Sequence, residues 1–126
     1  MVDLYQVEFY EDARGVSELW NFLEELEQKA ENSKDARIQY RQIAQCIDLL
    51  QKNGTFLGNK ITKHIIEDIW ELRPGFNRIF YFYYKEDTFV LLHQFRKKSN
   101  KTPKREIEKA LSERDDYLAR KESEHS

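Results

Sequence analysis

The sequence has few of the residues that define several protein classes. Its single cysteine, Cys46, cannot form an internal disulfide, which is typical of a reducing compartment. Its four glycines do not form the phosphate-cradling loop of a nucleotide-binding fold. Its three histidines are scattered and lack the spacing of metal ligands. We therefore expect neither a metal site nor a cofactor.

Long apolar runs are also missing. No stretch approaches the roughly 20 apolar residues of a membrane-spanning helix, and the N-terminus MVDLYQVEFY lacks a basic region followed by an apolar one. Hydrophobic residues make up 40% of the 126 positions and charged residues 35%. These values predict a cytoplasmic protein without a membrane partner. We expect one domain over residues 1–122 and a frayed tail at 123–126.

The charge that is present is unevenly distributed. Residues 1–59 contain six Lys or Arg and eleven Asp or Glu, whereas residues 60–121 contain fifteen and ten. The net charge of −2 therefore combines an acidic half with a basic half. A local basic region can bind nucleic acid even when the whole chain is slightly acidic.

Hydrophobic periodicity predicts the element order β-α-α-β-β-β-α. The predicted strands cover residues 4–10, 65–72, 78–84 and 88–95. Pro74-Gly75 and the polar residues 85–87 are turn signals, and such short connections imply antiparallel pairing. We expect an α+β fold in which the helices pack on one face of a small antiparallel sheet.

Three amphipathic stretches predict the helices. The first follows Gly15, and the second has Asp35 as its predicted N-cap and ends at Asn53-Gly54. Thr102-Pro103 has the pattern of an N-cap followed by proline at the first helical position. The predicted apolar face of this last helix consists of Ile107, Ala110, Leu111 and Leu118.

Cations border the two central predicted strands. Arg73 and Arg78 flank the Pro74-Gly75 turn, and a second cationic segment begins at Arg96. Seven Lys or Arg lie within residues 96–109, against two glutamates. Strand ends and turns are places where a small protein can gather cations without burying them, so this segment favours contact with phosphate.

Several motifs in this region resemble those of one family. The runs WELRPGFNRIFYFYY, LLHQF and KKSNKTPKREIEKAL resemble the HigB-like toxins of the RelE/ParE superfamily, in particular their phage-derived branch. The sequence departs from that pattern at Asn77, at Gln94 and at Ser99-Asn100. The resemblance covers roughly residues 65–118, and several motifs in the right order are more specific than a single motif.

The resemblance implies a toxin of a type II toxin–antitoxin pair with the RelE-like microbial RNase fold. It implies a metal-independent endoribonuclease that cleaves mRNA in the ribosomal A site. It also implies a HigA-like helix-turn-helix antitoxin as partner, in a complex that we expect to be a heterotetramer. The alternatives are a non-catalytic regulator with this fold and an RNA-binding protein without toxicity. We expect the antitoxin to dock on the acidic residues 16–50, because opposite charges steer association.

The cation pattern and the family resemblance together give the candidate site residues. Arg78 matches the arginine that stabilises phosphate in the family, and Arg73 and Lys98 are the other candidate catalytic cations. Either arginine could instead pair with Glu71 or Asp68 on the surface. Glu71 is a candidate base, or it orients Arg73. The candidate RNA-binding residues are Lys63, His64, Arg96, Lys97, Lys101 and Lys104.

Two further residue types have alternative interpretations. His64 and His93 have the intrinsic pKa of a general base, although His93 lies in an apolar strand and is interpreted as a core histidine. Tyr81, Tyr83 and Tyr84 could stack on bases, but sheet packing is the favoured interpretation.

Overall fold

A computed structural model describes residues 3–124, which form three helices and one five-stranded sheet. The elements are β1 (Gln6–Phe9), α1 (Glu18–Lys29), α2 (Lys34–Asn53), β2 (Thr62–Ile66), β3 (Ile69–Leu72), β4 (Asn77–Tyr83), β5 (Thr88–Arg96) and α3 (Lys104–Glu124). The predicted α+β class is confirmed. The last two residues of the predicted tail lie outside the described part, while Ser123 and Glu124 belong to α3.

The sheet is mixed, which corrects the prediction of a purely antiparallel sheet. Its strand order is β1-β5-β4-β3-β2, and β1 pairs with β5 in parallel. The chain leaves β1 through two helices, enters the sheet at its opposite edge and returns by successive antiparallel strands. Short turns specify the antiparallel pairs, but the pairing of β1 with β5 spans most of the chain.

The predicted strand at residues 65–72 is two strands joined by a tight turn. β2 and β3 pair with each other, and Glu67 at the turn has a positive φ of 50°. The Arg114 guanidinium of α3 contacts the carboxylates of Glu67 and Asp68 at 3.0 and 2.5 Å. The adjacent acidic pair therefore marks a turn, which the apolar residues on both sides hid from the sequence interpretation.

Helices cover both faces of the sheet, so the prediction that they share one face is wrong. α1 and α2 pack on one face through residues such as Leu19, Ile43 and Leu50. α3 packs on the other face around Ala110 and Tyr117. The physical reason is that β4 and β5 are apolar on both faces, so both faces must be buried. The side chains of Leu91 and Tyr81 face α1 and α2, whereas those of Phe80, Phe82 and Val90 face α3.

Two predicted caps are displaced, and one is confirmed. Ser33, not Asp35, is the N-cap of α2, and its side chain accepts a hydrogen bond from the Ala36 amide. Gly54 ends α2 with a φ of 62°, as predicted. α3 begins at Lys104 and not at Pro103, so Thr102 is not its N-cap as predicted; the Pro103 carbonyl accepts the first helical hydrogen bonds.

The apolar face of α3 also differs from the prediction at one position. Ile107 and Leu111 pack against the core as predicted, and Ala110 is fully buried. Leu118, however, is 37% exposed, and Tyr117 occupies the core position beside it. The Tyr117 ring packs edge-on against Phe82 at 5.7 Å, because a phenol can bury its ring while its hydroxyl donates to Glu8.

Candidate active site

A cationic pocket lies on the α3 face of the sheet, beyond the end that α3 covers. It forms where β3 ends, β4 begins and β5 leads into the loop before α3. Within the described residues, its charged lining consists of one carboxylate and five cations, namely Glu71, Arg73, Arg78, Lys97, Lys98 and Lys101. We call these residues the cationic pocket. The pocket therefore brings together six of the ten site residues that were predicted from the sequence.

Glu71 is buried at the centre of the pocket and is only 1% exposed. The alternation along β3 turns it to the α3 face, where it lies opposite Phe80. One carboxylate oxygen, Oε1, accepts a hydrogen bond from Arg73 Nε at 3.0 Å and lies 3.7 Å from Arg78 Nε. The other, Oε2, accepts one from the Thr102 hydroxyl at 3.4 Å. Glu71 therefore ties both arginines to the loop that precedes α3.

Arg78 is also buried, and its position is fixed by the backbone. Its Nη1 donates hydrogen bonds to the carbonyls of Gly75 and Asn77, both at 2.8 Å. Burial lowers the pKa of Arg78, Glu71 acts in the opposite direction, and Arg73 lowers it further. A guanidinium nevertheless stays protonated at neutral pH, because it is the strongest base among the protein side chains. Among residues 3–124, no protein group accepts a hydrogen bond from Arg78 Nη2, which remains available to a ligand.

The turn between the two arginines brings them into the same pocket. The Asn77 amide donates to the Pro74 carbonyl at 3.1 Å, and Gly75 has a φ of 63°. A Cβ atom at Gly75 would lie 2.3 Å from Gln42 Oε1, which the flexible end of that side chain could relieve, so it is the positive φ that favours glycine here. The predicted Pro74-Gly75 turn is confirmed. Because the turn is tight, two residues that are five apart in sequence line one pocket.

Three lysines make the rim of the pocket strongly positive. Lys97, Lys98 and Lys101 are exposed and line the pocket, and none of them takes part in an ion pair within the described part of the chain. Their charges are therefore not neutralised locally. An exposed, unpaired lysine attracts phosphate as a mobile point charge, whereas the fixed arginines below can bind it in one geometry.

The other candidate residues lie outside the pocket. Lys63 pairs in register with Glu71 but belongs to the edge strand β2, and His64 turns to the opposite face against Trp70. Arg96 lies over the ring of Phe76. Lys104 is exposed in the first turn of α3, near Glu108. None of these four residues lines the pocket.

His93 is a satisfied core histidine, as predicted. Its Nδ1 contacts Glu113 at 2.6 Å and its Nε2 contacts Glu106 at 3.0 Å. A β-bulge causes this orientation: Phe80 faces two residues of β5, so His93 turns to α3 as its neighbour Leu92 does. His93 and His64, the histidines of the described chain, both lie away from the pocket.

Tyr81 is likewise a core residue. Its ring is fully buried, its hydroxyl bonds Thr62 Oγ1 at 2.6 Å, and burial raises the pKa of Tyr81 to about 12. Sequence reasoning missed Thr102 as a pocket residue because it was interpreted as a helix cap. Its hydroxyl contacts Glu71 instead, across 31 positions of sequence. A threonine before a proline carried no signal for such a distant contact.

Residues 3–124 contain neither a metal-binding cluster nor a membrane-spanning helix. No group of three or more His, Cys, Asp and Glu side chains is arranged to hold a metal ion. No helix in that range is long and apolar enough to cross a membrane.

Comparison with known proteins provides the family. No curated protein matches the sequence significantly. The chain is similar to the YoeB dimer from Staphylococcus aureus, with 12% identity and a TM-score of 0.49 over 76% of this chain and 98% of that one. It is also similar to the YoeB-YefM complex from Staphylococcus aureus, with 11% identity and a TM-score of 0.47 over 75% and 98%. The family model described as phage derived protein Gp49-like (DUF891) matches residues 21–115, and the chain belongs to this family.

Proposed function

We propose that this chain is the toxin of a type II toxin–antitoxin pair and that it cleaves mRNA on the ribosome. The observation that carries the proposal is the cationic pocket, in which two fixed arginines and three unpaired lysines surround one buried carboxylate. The motif resemblance to HigB-like toxins and membership of the phage-derived family support it. Cytoplasmic mRNA in the ribosomal A site is the proposed substrate.

The proposed reaction needs no metal ion. The 2′-hydroxyl of the RNA loses its proton and attacks the neighbouring phosphorus, and the bond to the 5′-oxygen of the next nucleotide breaks. That oxygen takes a proton from water or a ribosomal group, which leaves a 5′-hydroxyl and a 2′,3′-cyclic phosphate. Extra negative charge develops on the phosphate oxygens in the transition state, where preorganised donors have the largest effect. Arg78 Nη2 and the guanidinium of Arg73 can supply such donors, because Glu71 and the turn carbonyls hold both side chains in place.

We propose that Glu71 positions the arginines and that Lys98 supplies a second cation to the reacting phosphate. Both oxygens of Glu71 are already engaged by Arg73, Arg78 and Thr102. A carboxylate whose oxygens are already occupied by protein donors is poorly placed to take a proton from the substrate. The 2′-hydroxyl proton can then pass to ribosomal groups or to water. Lys97 and Lys101 would guide the RNA backbone, with Lys63, His64, Arg96 and Lys104 as further contacts outside the pocket.

A HigA-like helix-turn-helix antitoxin is the proposed partner, in a heterotetrameric complex. The second candidate function is a non-catalytic regulator with the same fold. It is favoured by one observation: among the described residues, Glu71 is the pocket's only carboxylate, and the histidines lie elsewhere.

Mapping RNA ends in cells tests both functions. Induced expression is expected to halt growth and to create new 5′ ends within the codons of a translated reporter, detected by primer extension. Removing the start codon of the reporter should abolish these ends. Ends that persist without translation would contradict ribosome dependence, and the absence of new ends would favour the regulator.

A further inference from the structure

Phe76 is an exposed aromatic residue on the turn between Arg73 and Arg78, two of the charged residues of the cationic pocket. It is 66% exposed, whereas the phenylalanines that follow it in β4 are buried in the core. It stands directly after Gly75, whose carbonyl accepts the Arg78 hydrogen bond. A single exposed apolar side chain is ordinary on a protein surface, but this one lies on the turn that carries two pocket arginines, where it is placed to contact a bound ligand.

The backbone holds Phe76 firmly in this position. Its carbonyl accepts a hydrogen bond from the amide of Lys97, a pocket residue, at 2.7 Å. The turn around it is closed by the bond between Asn77 and Pro74. The ring is therefore attached to the same rigid turn that places Arg73 and Arg78.

Arg96 lies against the ring of Phe76. Its guanidinium carbon lies 5.5 Å from the centroid of the Phe76 ring, within the range of a cation–π contact. Aromatic rings and guanidinium planes are the two groups on which unpaired bases stack in single-stranded RNA complexes. The side-chain amide of the neighbouring Asn77 is already bonded to Gln39 and Gln94. It is therefore not free to read the edge of a base.

We propose that Phe76 and Arg96 form a stacking platform for one unpaired RNA base next to the phosphate held by Arg73 and Arg78. This inference rests on the proposed function in assuming an RNA substrate, and it adds a base-binding subsite to the phosphate site. The cations around the ring favour a polyanion with planar groups over an apolar protein segment. Since stacking does not read base edges, the platform accepts any base.

Binding of an uncleavable RNA tests the platform. The ligands are a short single-stranded 2′-O-methyl RNA and the same backbone with abasic positions, measured by fluorescence anisotropy at low salt, where phosphate contacts are strongest. Phe76→Ala is expected to weaken binding of the base-bearing strand roughly 5- to 150-fold and to leave the abasic strand unchanged. Phe76→Trp should restore the preference for the base-bearing strand.

Phe56→Ala is the matched control. Phe56 is 87% exposed and does not line the cationic pocket, so its loss should change neither affinity. Arg73→Ala, in contrast, should weaken both strands alike because it removes a phosphate contact. The platform is overturned if wild-type protein binds both strands equally, or if Phe76→Ala behaves like Phe56→Ala.

The outcome is separable from that of the proposed function. Loss of base preference in Phe76→Ala, in a protein that never cleaves RNA, would retain the platform and reject the nuclease. Cleavage that is accompanied by unchanged RNA binding in Phe76→Ala would reject the platform alone. If Phe76→Ala instead weakens only the antitoxin complex, the ring binds a protein partner, and the platform is also rejected.

Discussion

The cationic pocket and the surface of α1 differ in charge and in how firmly their charged side chains are held. Next to α1, an acidic groove of about 550 Å³ is lined by residues that include Glu8, Phe9, Glu11, Val16 and Trp20. Trp20 is 52% exposed and packs edge-on against Phe9 at 5.4 Å. The cationic pocket holds only about 40 Å³. The first surface has room for apolar side chains, and the second suits a single small anionic group.

The two surfaces also hold their charges differently. In the pocket, the charges of Glu71 and Arg78 are buried and their hydrogen bonds fix the geometry. In the groove, Glu11 and Glu8 are exposed, and none of the described residues that line it is a cation. A fixed set of hydrogen-bond donors suits a reacting phosphate. The acidic groove, which also contains apolar side chains such as Trp20, suits a basic amphipathic protein segment. The contrast predicts that a mutation in the pocket impairs RNA cleavage without affecting antitoxin binding, and that a mutation in the groove does the reverse.

The largest effect is expected for Glu71→Ala, which removes the carboxylate from beneath two arginines. Breaking a buried ion pair by removing one partner leaves an uncompensated charge, so the free energy of unfolding should fall by about 3–5 kcal/mol. Urea denaturation measures this change. Glu24→Ala, on the exposed surface of α1, should stay within about 0.5 kcal/mol of wild type. Equal stability of the two variants would show that the buried network contributes nothing.

Arg78→Lys should abolish most of the cleavage and preserve the fold. Lysine keeps a positive charge next to Glu71 but cannot offer the planar fork of donors. The rate of cleavage of a translated reporter should fall about 100- to 1,000-fold, as for loss of one transition-state donor. Arg14→Lys changes an exposed arginine near the acidic groove and should leave the rate unchanged. Normal cleavage by folded Arg78→Lys would remove Arg78 from the active site.

Trp20→Ala should separate antitoxin binding from cleavage. An exposed tryptophan in a groove is the residue type that dominates interfaces, so the Kd for the antitoxin should rise by at least about 30-fold, or about 2 kcal/mol. Titration calorimetry measures the Kd, and reporter cleavage should remain normal. Leu118→Ala, an exposed apolar residue on α3, is the control.

Hydrogen exchange of the complex provides an independent test of this docking mode. Antitoxin binding is expected to protect the amides of residues 16–50. Protection confined to residues 73–104 would show that the antitoxin instead plugs the cationic pocket, and the proposed role of Trp20 would then be wrong.

The smallest effect is expected for Lys101→Ala. Loss of one phosphate contact should lower the salt dependence of RNA binding by about 0.7 in the slope of log K against log salt concentration. Anisotropy titrations over a range of salt concentrations measure the slope. Lys29→Ala removes a lysine of α1 that already pairs with Glu25 at 2.6 Å, and it should leave the slope unchanged. Equal slopes for the two variants would exclude Lys101 from the RNA path.

Local patterns in the sequence determined most of the elements and the nucleus of the site. Helical spacing specified α1 and α2, because one face of each helix must be buried. Pro74-Gly75 specified the turn that joins Arg73 to Arg78, since the positive φ at Gly75 favours glycine there. Residues close in sequence and joined by a tight turn are close in space, so this part of the site was predictable.

Only the tertiary structure decided how distant segments meet. The hydrogen bond from Thr102 to Glu71 and the parallel pairing of β1 with β5 join residues far apart in the chain. A periodic pattern shows which face of an element is buried but not which partner covers it, so α3 was assigned to the wrong face of the sheet. The bulge that turns His93 toward Glu113 and Glu106 depends on the register between β4 and β5. That register is set by packing across the whole sheet, which no local pattern encodes.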